Sequence, residues 1–248
     1  MAATDYSTYL RINDLLTLQE PLSDDAPDEL LFIVVHQAYE LWFKVVVDEI
    51  RRAARHLHGG EPWRAVAHLR RTSEIERLLL GHLRLLDTMS PEGFLRFRDP
   101  LDPASGFQSC QYRAVEFLSG AGNLAALEFD FFDDEQRAWL RAVSVEPSLW
   151  TGFVSVLESL TGNQDVVGAL CTLYGDHDEP TANSLHTVAE LMMDHDENLA
   201  TWRYQHLLMA GRQIGRRRGT GGSAGMGYLD TTLGNRLFPA LWEVRSVL

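Results

Sequence analysis

The sequence predicts an all-α protein folded as a single-domain helical bundle, and three observations carry that prediction. No run of alternating β-branched residues bounded by turn chemistry occurs. Most segments instead repeat apolar residues at helical spacing, and proline, glycine and capping residues fall where such helices would start and stop. The 248 residues, 45% of them hydrophobic, suffice for one substantial core, so one domain over residues 1–248 is expected.

A first helix is expected over residues 5–18, ended by Glu20-Pro21 because proline cannot continue a helix. A long helix follows over 28–58 and stops at Gly59-Gly60. Pro62 suits the first position of the next helix, whose second half carries the apolar run 79–86. Ser90-Pro91-Glu92 opens a short helix, the chain turns over 100–106, and 107–118 is helical up to Gly120. The acidic stretch 130–135 connects to a helix start, followed by helices near 136–144, 147–160 and 163–173. Pro180 begins a helix that runs to Ile214 and closes at Gly215, before a loop over 216–227 and a final helix toward Val247.

Composition narrows the function. With 22 Lys and Arg against 35 Asp and Glu, the net charge of −13 disfavours nucleic acid and anionic lipid as partners and favours a neutral or small polar ligand. The two cysteines, Cys110 and Cys171, form neither a disulfide framework nor a zinc motif. No uninterrupted run of about 18 apolar residues occurs, and MAATDYSTYLRI has no basic or apolar leader, so a cytoplasmic protein with no membrane span is expected.

Several residues could carry chemistry. Phe32, His36 and Glu40 follow i, i+4 spacing on a helix that is apolar nearly all round and therefore expected to be buried. His36 is then either a hydrogen-bonded core histidine or an acid, base or ligand in a pocket. His206, among Trp202, Leu207 and Met209, has the same two readings: a core residue, or a neutral imidazole able to hold haem iron. The cluster Gly219 to Gly227 is denser in glycine than an ordinary turn, but it lacks the lysine of a phosphate loop and follows a helix rather than a strand. It is either a mobile surface loop or a loop that grips a carboxylate or ammonium group. Phe94 and Arg98 are spaced to point one way, and arginine suits a carboxylate; Tyr6 and Tyr9 could be a core stripe. The repeated tetrapeptides Asp176-His177-Asp178-Glu179 and Asp194-His195-Asp196-Glu197 are read as helix-end charges and solvated turns, not a metal site, because consecutive helical residues do not share a face.

Taken together, DELLFIVVHQAYELWFK, FRDPLDPASGFQSCQYR, WRYQH and GTGGSAGMGYL resemble four segments of the tryptophan 2,3-dioxygenase family in the same order. The likeness runs from Tyr6 to Trp242 and is least over 123–179. It implies a bundle of the tryptophan/indoleamine dioxygenase type: a homotetramer in which each subunit binds one haem b and inserts dioxygen across the indole C2–C3 bond of L-tryptophan, giving N-formylkynurenine. By the resemblance His206 is the proximal iron ligand and His36 the distal histidine that meets the indole N–H. Arg98 matches the carboxylate-binding arginine, and Thr220 the threonine at the ammonium and carboxylate groups. Phe32, Phe94, Leu101 and Ser105 match positions around the substrate. Tyr6 and Tyr9, in the segment 1–20, match tyrosines that complete a neighbouring subunit's site. Some members have tyrosine where Phe94 stands, so one hydroxyl is absent here. Two alternatives stay open at this level: a haem monooxygenase of the same fold acting on an indole or a tyrosine derivative, and a helical binding module without catalysis.

Overall fold

In the computed structural model the described residues are 4–222 and 224–248, and they form twelve α-helices and two short 3-10 turns with no strand among them. The all-α expectation therefore holds. Ser223 of the glycine cluster and the first three residues of MAATDYSTYLRI lie outside the described residues.

The expected first helix is instead two: α1 (Tyr6–Leu10) and α2 (Ile12–Leu15). They are broken at Arg11, which takes a left-handed conformation with φ of 51° and caps α1. Helix α3 (Glu29–His58) matches its expected span. The buried Glu29 carboxylate accepts the backbone N–H groups of Leu22 and Ser23, at 2.8 and 3.0 Å, and so ties the preceding connection back onto the helix. Helix α4 (Pro62–Leu86) starts on proline as expected, and α5 (Pro91–Leu101) is capped by the Ser90 hydroxyl. The turn expected from residue 100 begins later, because Pro100 is carried inside the last turn of α5.

The helix expected at 107–118 is divided. Ser105 caps a 3-10 turn over Gly106–Gln108, and Ser109 caps α6 (Cys110–Ser119), so two serine caps four residues apart separate the segments. A second 3-10 turn, Leu124–Glu128, was not expected. Asp133 forms a capping box with Gln136 and starts α7 (Asp134–Ser144). Helices α8 (Leu149–Thr161) and α9 (Val166–Gly175) follow, capped by Ser148 and Asp165. Helix α10 (Pro180–Ile214) is the longest, at 35 residues or roughly 52 Å. The loop expected over 216–227 is shortened by α11 (Met226–Thr231), and the last helix, α12 (Pro239–Val244), is only six residues long.

The core lies where α3, α4 and α10 pack lengthwise, with α6 and α8 against α3 and α9 against α8 and α12. By length and composition α3 could cross a membrane, but here it is the central helix, burying Val35, Tyr39, Phe43, Val46, Ile50 and Leu57. It is not buried all round as expected. Leu30, Val34 and Leu41 are exposed, since α4, α6 and α8 of the same chain cover the other side of the helix.

The second tetrapeptide is also corrected. His195 and Asp196 are not solvated but fully buried in mid-α10. Nδ1 of His195 lies 2.5 Å from the Glu76 carboxylate of α4, and Nε2 lies 3.0 Å from the Ser119 hydroxyl of α6. Asp196 accepts the N–H groups of Leu237, Phe238 and the Trp242 indole at 2.9–3.1 Å, fastening the C-terminal segment to the bundle. All three bonds reach Oδ2, while Oδ1 is buried without a partner among the described residues.

Candidate active site

A cleft of about 270 Å³ opens between α3, α4, α5, α6, α10, α11 and the glycine loop. By the same measure one water needs about 10–15 Å³, so the space is sized for a ligand rather than a packing defect. His36, Phe94, Arg98, Ser105, His206 and Thr220 all line it. The structure thus brings together six residues that stand up to 184 positions apart, from His36 to Thr220.

The two histidines face the cleft from the two longest helices. His36 places Nδ1 2.7 Å from the Phe32 carbonyl one turn earlier, and a carbonyl can only accept, so Nδ1 carries the proton. Its other nitrogen, Nε2, is therefore an acceptor. Burial lowers the His36 pKa below its ordinary 6.5, against smaller opposing effects of the Phe32 bond and Glu40. On α10, burial and the nearby His36 push the His206 pKa down to about 4. His206 makes no hydrogen bond among the described residues, so a neutral imidazole lone pair is left for a ligand in the cleft. The core-histidine reading, in which each ring would be satisfied within the protein, does not describe it.

The rim is polar. Arg98 donates from Nη2 to the Arg218 carbonyl at 2.6 Å and lies 3.5 Å from the Asp99 carboxylate, while its buried Nε has no partner among the described residues. The Thr220 hydroxyl donates to the Ala104 carbonyl at 2.6 Å. These two bonds latch the glycine loop onto the end of α5 and the turn beyond it. Glycine is needed at two places in that latch. A Cβ on Gly221 would stand 2.6 Å from that of Ser105, and Gly225 has φ of +59° with its missing Cβ directed at the Arg217 carbonyl.

Phe32 and Leu101 do not line the cleft itself. Phe32 supports it from behind, its ring 4.1 Å from the His36 ring and 5.9 Å from Phe94, while Leu101 is packed against the core. Tyr6 and Tyr9 are 74% and 75% exposed on α1 and are not brought to the cleft of their own chain.

Sequence reasoning missed Tyr112, Arg113, Trp202, Arg203 and Tyr228, all of which line the cleft. Arg113 lies over the rings of Phe107 and Tyr112, at 5.4 and 4.9 Å, and pairs with Glu116 at 2.7 Å. Burial raises the Glu116 pKa and Arg113 opposes the rise. The Arg113 Nε is buried without a partner among the described residues. The signal was present in FQSCQYR, where an arginine and two aromatic residues fall within one short segment, but which of them meet depends on the 3-10 turn before α6.

These features fit a haem. The donor set is one neutral imidazole with an unclaimed lone pair on a wall carrying Leu83, Leu86, Met209 and Ile214, with guanidinium groups at the edge able to meet carboxylates. A second neutral imidazole, the rings of Phe94 and Phe107, and Arg98 also line the cleft.

Comparisons with known proteins agree in one direction. A sequence model of the family described as Tryptophan 2,3-dioxygenase matches residues 1–162 and 134–248. A tryptophan 2,3-dioxygenase of a Nocardioides species is 42% identical over 257 aligned residues, covering all of this chain and 96% of that one. Proteins of the same name from Caulobacter vibrioides and Xanthomonas oryzae pv. oryzae are 37% and 35% identical, covering 98% and 97% of this chain and 98% and 86% of theirs.

Proposed function

The chain belongs to the tryptophan 2,3-dioxygenase family, and from that premise we propose that it is a haem-dependent dioxygenase that opens the indole ring of L-tryptophan to N-formylkynurenine. The observation that carries the reading is a pair of neutral imidazoles, His36 and His206, on one cleft whose rim holds Arg98 and Thr220. It acts as a cytoplasmic homotetramer.

His206 would hold the iron of haem b, in a cleft whose lining also carries Leu83, Leu86, Met209, Ile214 and Arg113. When bound, the haem supplies dioxygen activation, which side chains cannot. The chain's own residues supply orientation and exclusion of water. His36 Nε2 accepts the indole N–H, an acceptor role fixed by the proton that Nδ1 gives to Phe32. Arg98 takes the substrate carboxylate in exchange for the Arg218 carbonyl, and the Thr220 hydroxyl meets the carboxylate and ammonium groups in exchange for Ala104. Three fixed points select the L enantiomer and hold C2 and C3 in one place, the arrangement from which positioning lowers a barrier. Phe94, Ser105 and, behind them, Phe32 and Leu101 shape the pocket.

Exposed apolar residues support the oligomer. Tyr6, Tyr9, Leu16 and Leu18 at the N-terminus and Leu30, Val34 and Leu41 on α3 lie open in the single chain, more than scattered surface residues would require. The N-terminal tyrosines then complete the site of a neighbouring subunit.

Mass spectrometry of the product formed from L-tryptophan under labelled dioxygen tests the reading. Gain of both labelled atoms with ring opening is expected, and gain of one atom on an intact ring assigns the chain to monooxygenation instead.

A further inference from the structure

We propose that Tyr39 and Trp202 form a brace that sets the plane of the His206 imidazole, which makes both of them positioning residues for the iron ligand. The inference rests on His206 holding haem as proposed above. Trp202 lies one turn before His206 on α10, and the two rings are stacked, 6° from parallel with centroids 5.2 Å apart.

A histidine alone does not hold one ring plane, because rotation about its ring bond is soft. Metal-binding histidines usually solve this by donating the second ring N–H to a carboxylate, a carbonyl or water. His206 has no such partner among the described residues. The stacked indole fills that role, since a ring lying flat against the imidazole blocks its rotation.

The indole plane is itself fixed from two other helices. Its Nε1–H donates to the Tyr39 hydroxyl of α3 at 3.1 Å, and that hydroxyl donates to the Leu79 carbonyl of α4 at 2.6 Å. The Tyr39 hydroxyl is thus used as both donor and acceptor, and burial raises its pKa so that it stays protonated in both roles. Tyr112 lies against the indole, with centroids 5.5 Å apart and planes 33° apart, which closes off a swing toward α6. The contacts run from an α4 carbonyl through an α3 phenol and an α10 indole to the imidazole. Neither Tyr39 nor Trp202 has any other task in the mechanism.

The test uses the haem-loaded protein and its variants Tyr39→Phe, Trp202→Phe, Trp202→Leu and His206→Ala. Two quantities are read: the iron–histidine stretching band of the ferrous form by resonance Raman, and the rate of haem transfer to an apo-globin acceptor. Tyr39→Phe and Trp202→Leu are expected to shift and broaden the band and to speed haem release by about 2- to 12-fold, the worth of one aromatic pair. Trp202→Phe, which keeps a ring but loses the N–H, should fall between them and the parent. Tyr39→Phe removes a single oxygen atom from the core, so the test stands even if Trp202→Leu does not fold. A wild-type band and release rate in Tyr39→Phe and both Trp202 variants, with haem lost from His206→Ala, overturns the brace. Haem retained with the wild-type band in His206→Ala overturns the ligand assignment, and the brace with it.

Discussion

The two histidines of the cleft stand on helices of 30 and 35 residues, whereas Arg98, Ser105 and Thr220 stand on an 11-residue helix, a cap before a three-residue turn and a glycine loop. The walls are held by the packing of α3, α4 and α10, with the buried His195–Glu76 contact and the three bonds to Asp196 tying α10 to α4 and to the C-terminal segment. The rim is held by two side-chain bonds to carbonyls, Arg98 to Arg218 and Thr220 to Ala104. Stability is unevenly spread in such a fold, and elements with few buried contacts open at lower cost. The difference separates two tasks. Under the proposed function, a cofactor retained between turnovers would need rigid walls, and a substrate exchanged at every turnover would need donors that can let go of one carbonyl and take up a carboxylate.

Changes to the wall and to the rim should therefore fail differently. The largest effect is expected from His206→Ala on the wall, with loss of haem retention and of all activity, read as the absence of a Soret band after haem supplementation. On the rim, Arg98→Ala should keep its haem and lose about 10- to 100-fold in kcat/KM for L-tryptophan, mostly through KM, the worth of a charge-assisted hydrogen bond. Unchanged tryptophan kinetics in that variant would remove Arg98 from the site.

The pH profile probes the wall without mutation. His36 must be neutral to accept the indole N–H, and its pKa is lowered from 6.5. Acceptance is then lost as pH falls through a midpoint that lies below 6.5. The expected kcat/KM falls on the acid side with a midpoint below 6.5, and a midpoint above 6.5 contradicts the role. The smallest effect is expected from Gly225→Ala. A methyl directed at the Arg217 carbonyl from a positive-φ position should loosen the latch, raising KM less than Arg98→Ala does while the visible spectrum stays unchanged.

The same division governs how much was legible in the sequence. Helices α3, α4 and α10 were readable because Pro62, Pro180 and the glycines after His58 and Ile214 punctuate long periodic stretches. The alignment of Phe32 with His36 followed from i, i+4 spacing and is realised in their ring contact. Elements around the rim were less legible. Arg11 breaks the first helix in a left-handed conformation that carries no glycine to announce it, and the serine caps at 105 and 109 compete with a continuous helix. Burial of His195 and Asp196 could not be read from a tetrapeptide that looks solvated, because their partners Glu76, Ser119 and Trp242 come from other parts of the chain. The same holds for Trp202. Its place beside His206 is local, but the Tyr39 hydroxyl that orients it lies 163 residues away.

A visible-absorption titration of the haem-loaded protein with L-tryptophan, run in parallel on Arg98→Ala, tests most directly whether wall and rim hold cofactor and substrate. A Soret band is expected in both proteins, perturbed saturably by L-tryptophan in the parent and only at much higher concentration in the variant. A purified parent protein that takes up no haem, or whose Soret band ignores L-tryptophan, would contradict a cleft in which one wall holds the cofactor and the rim holds the substrate against it.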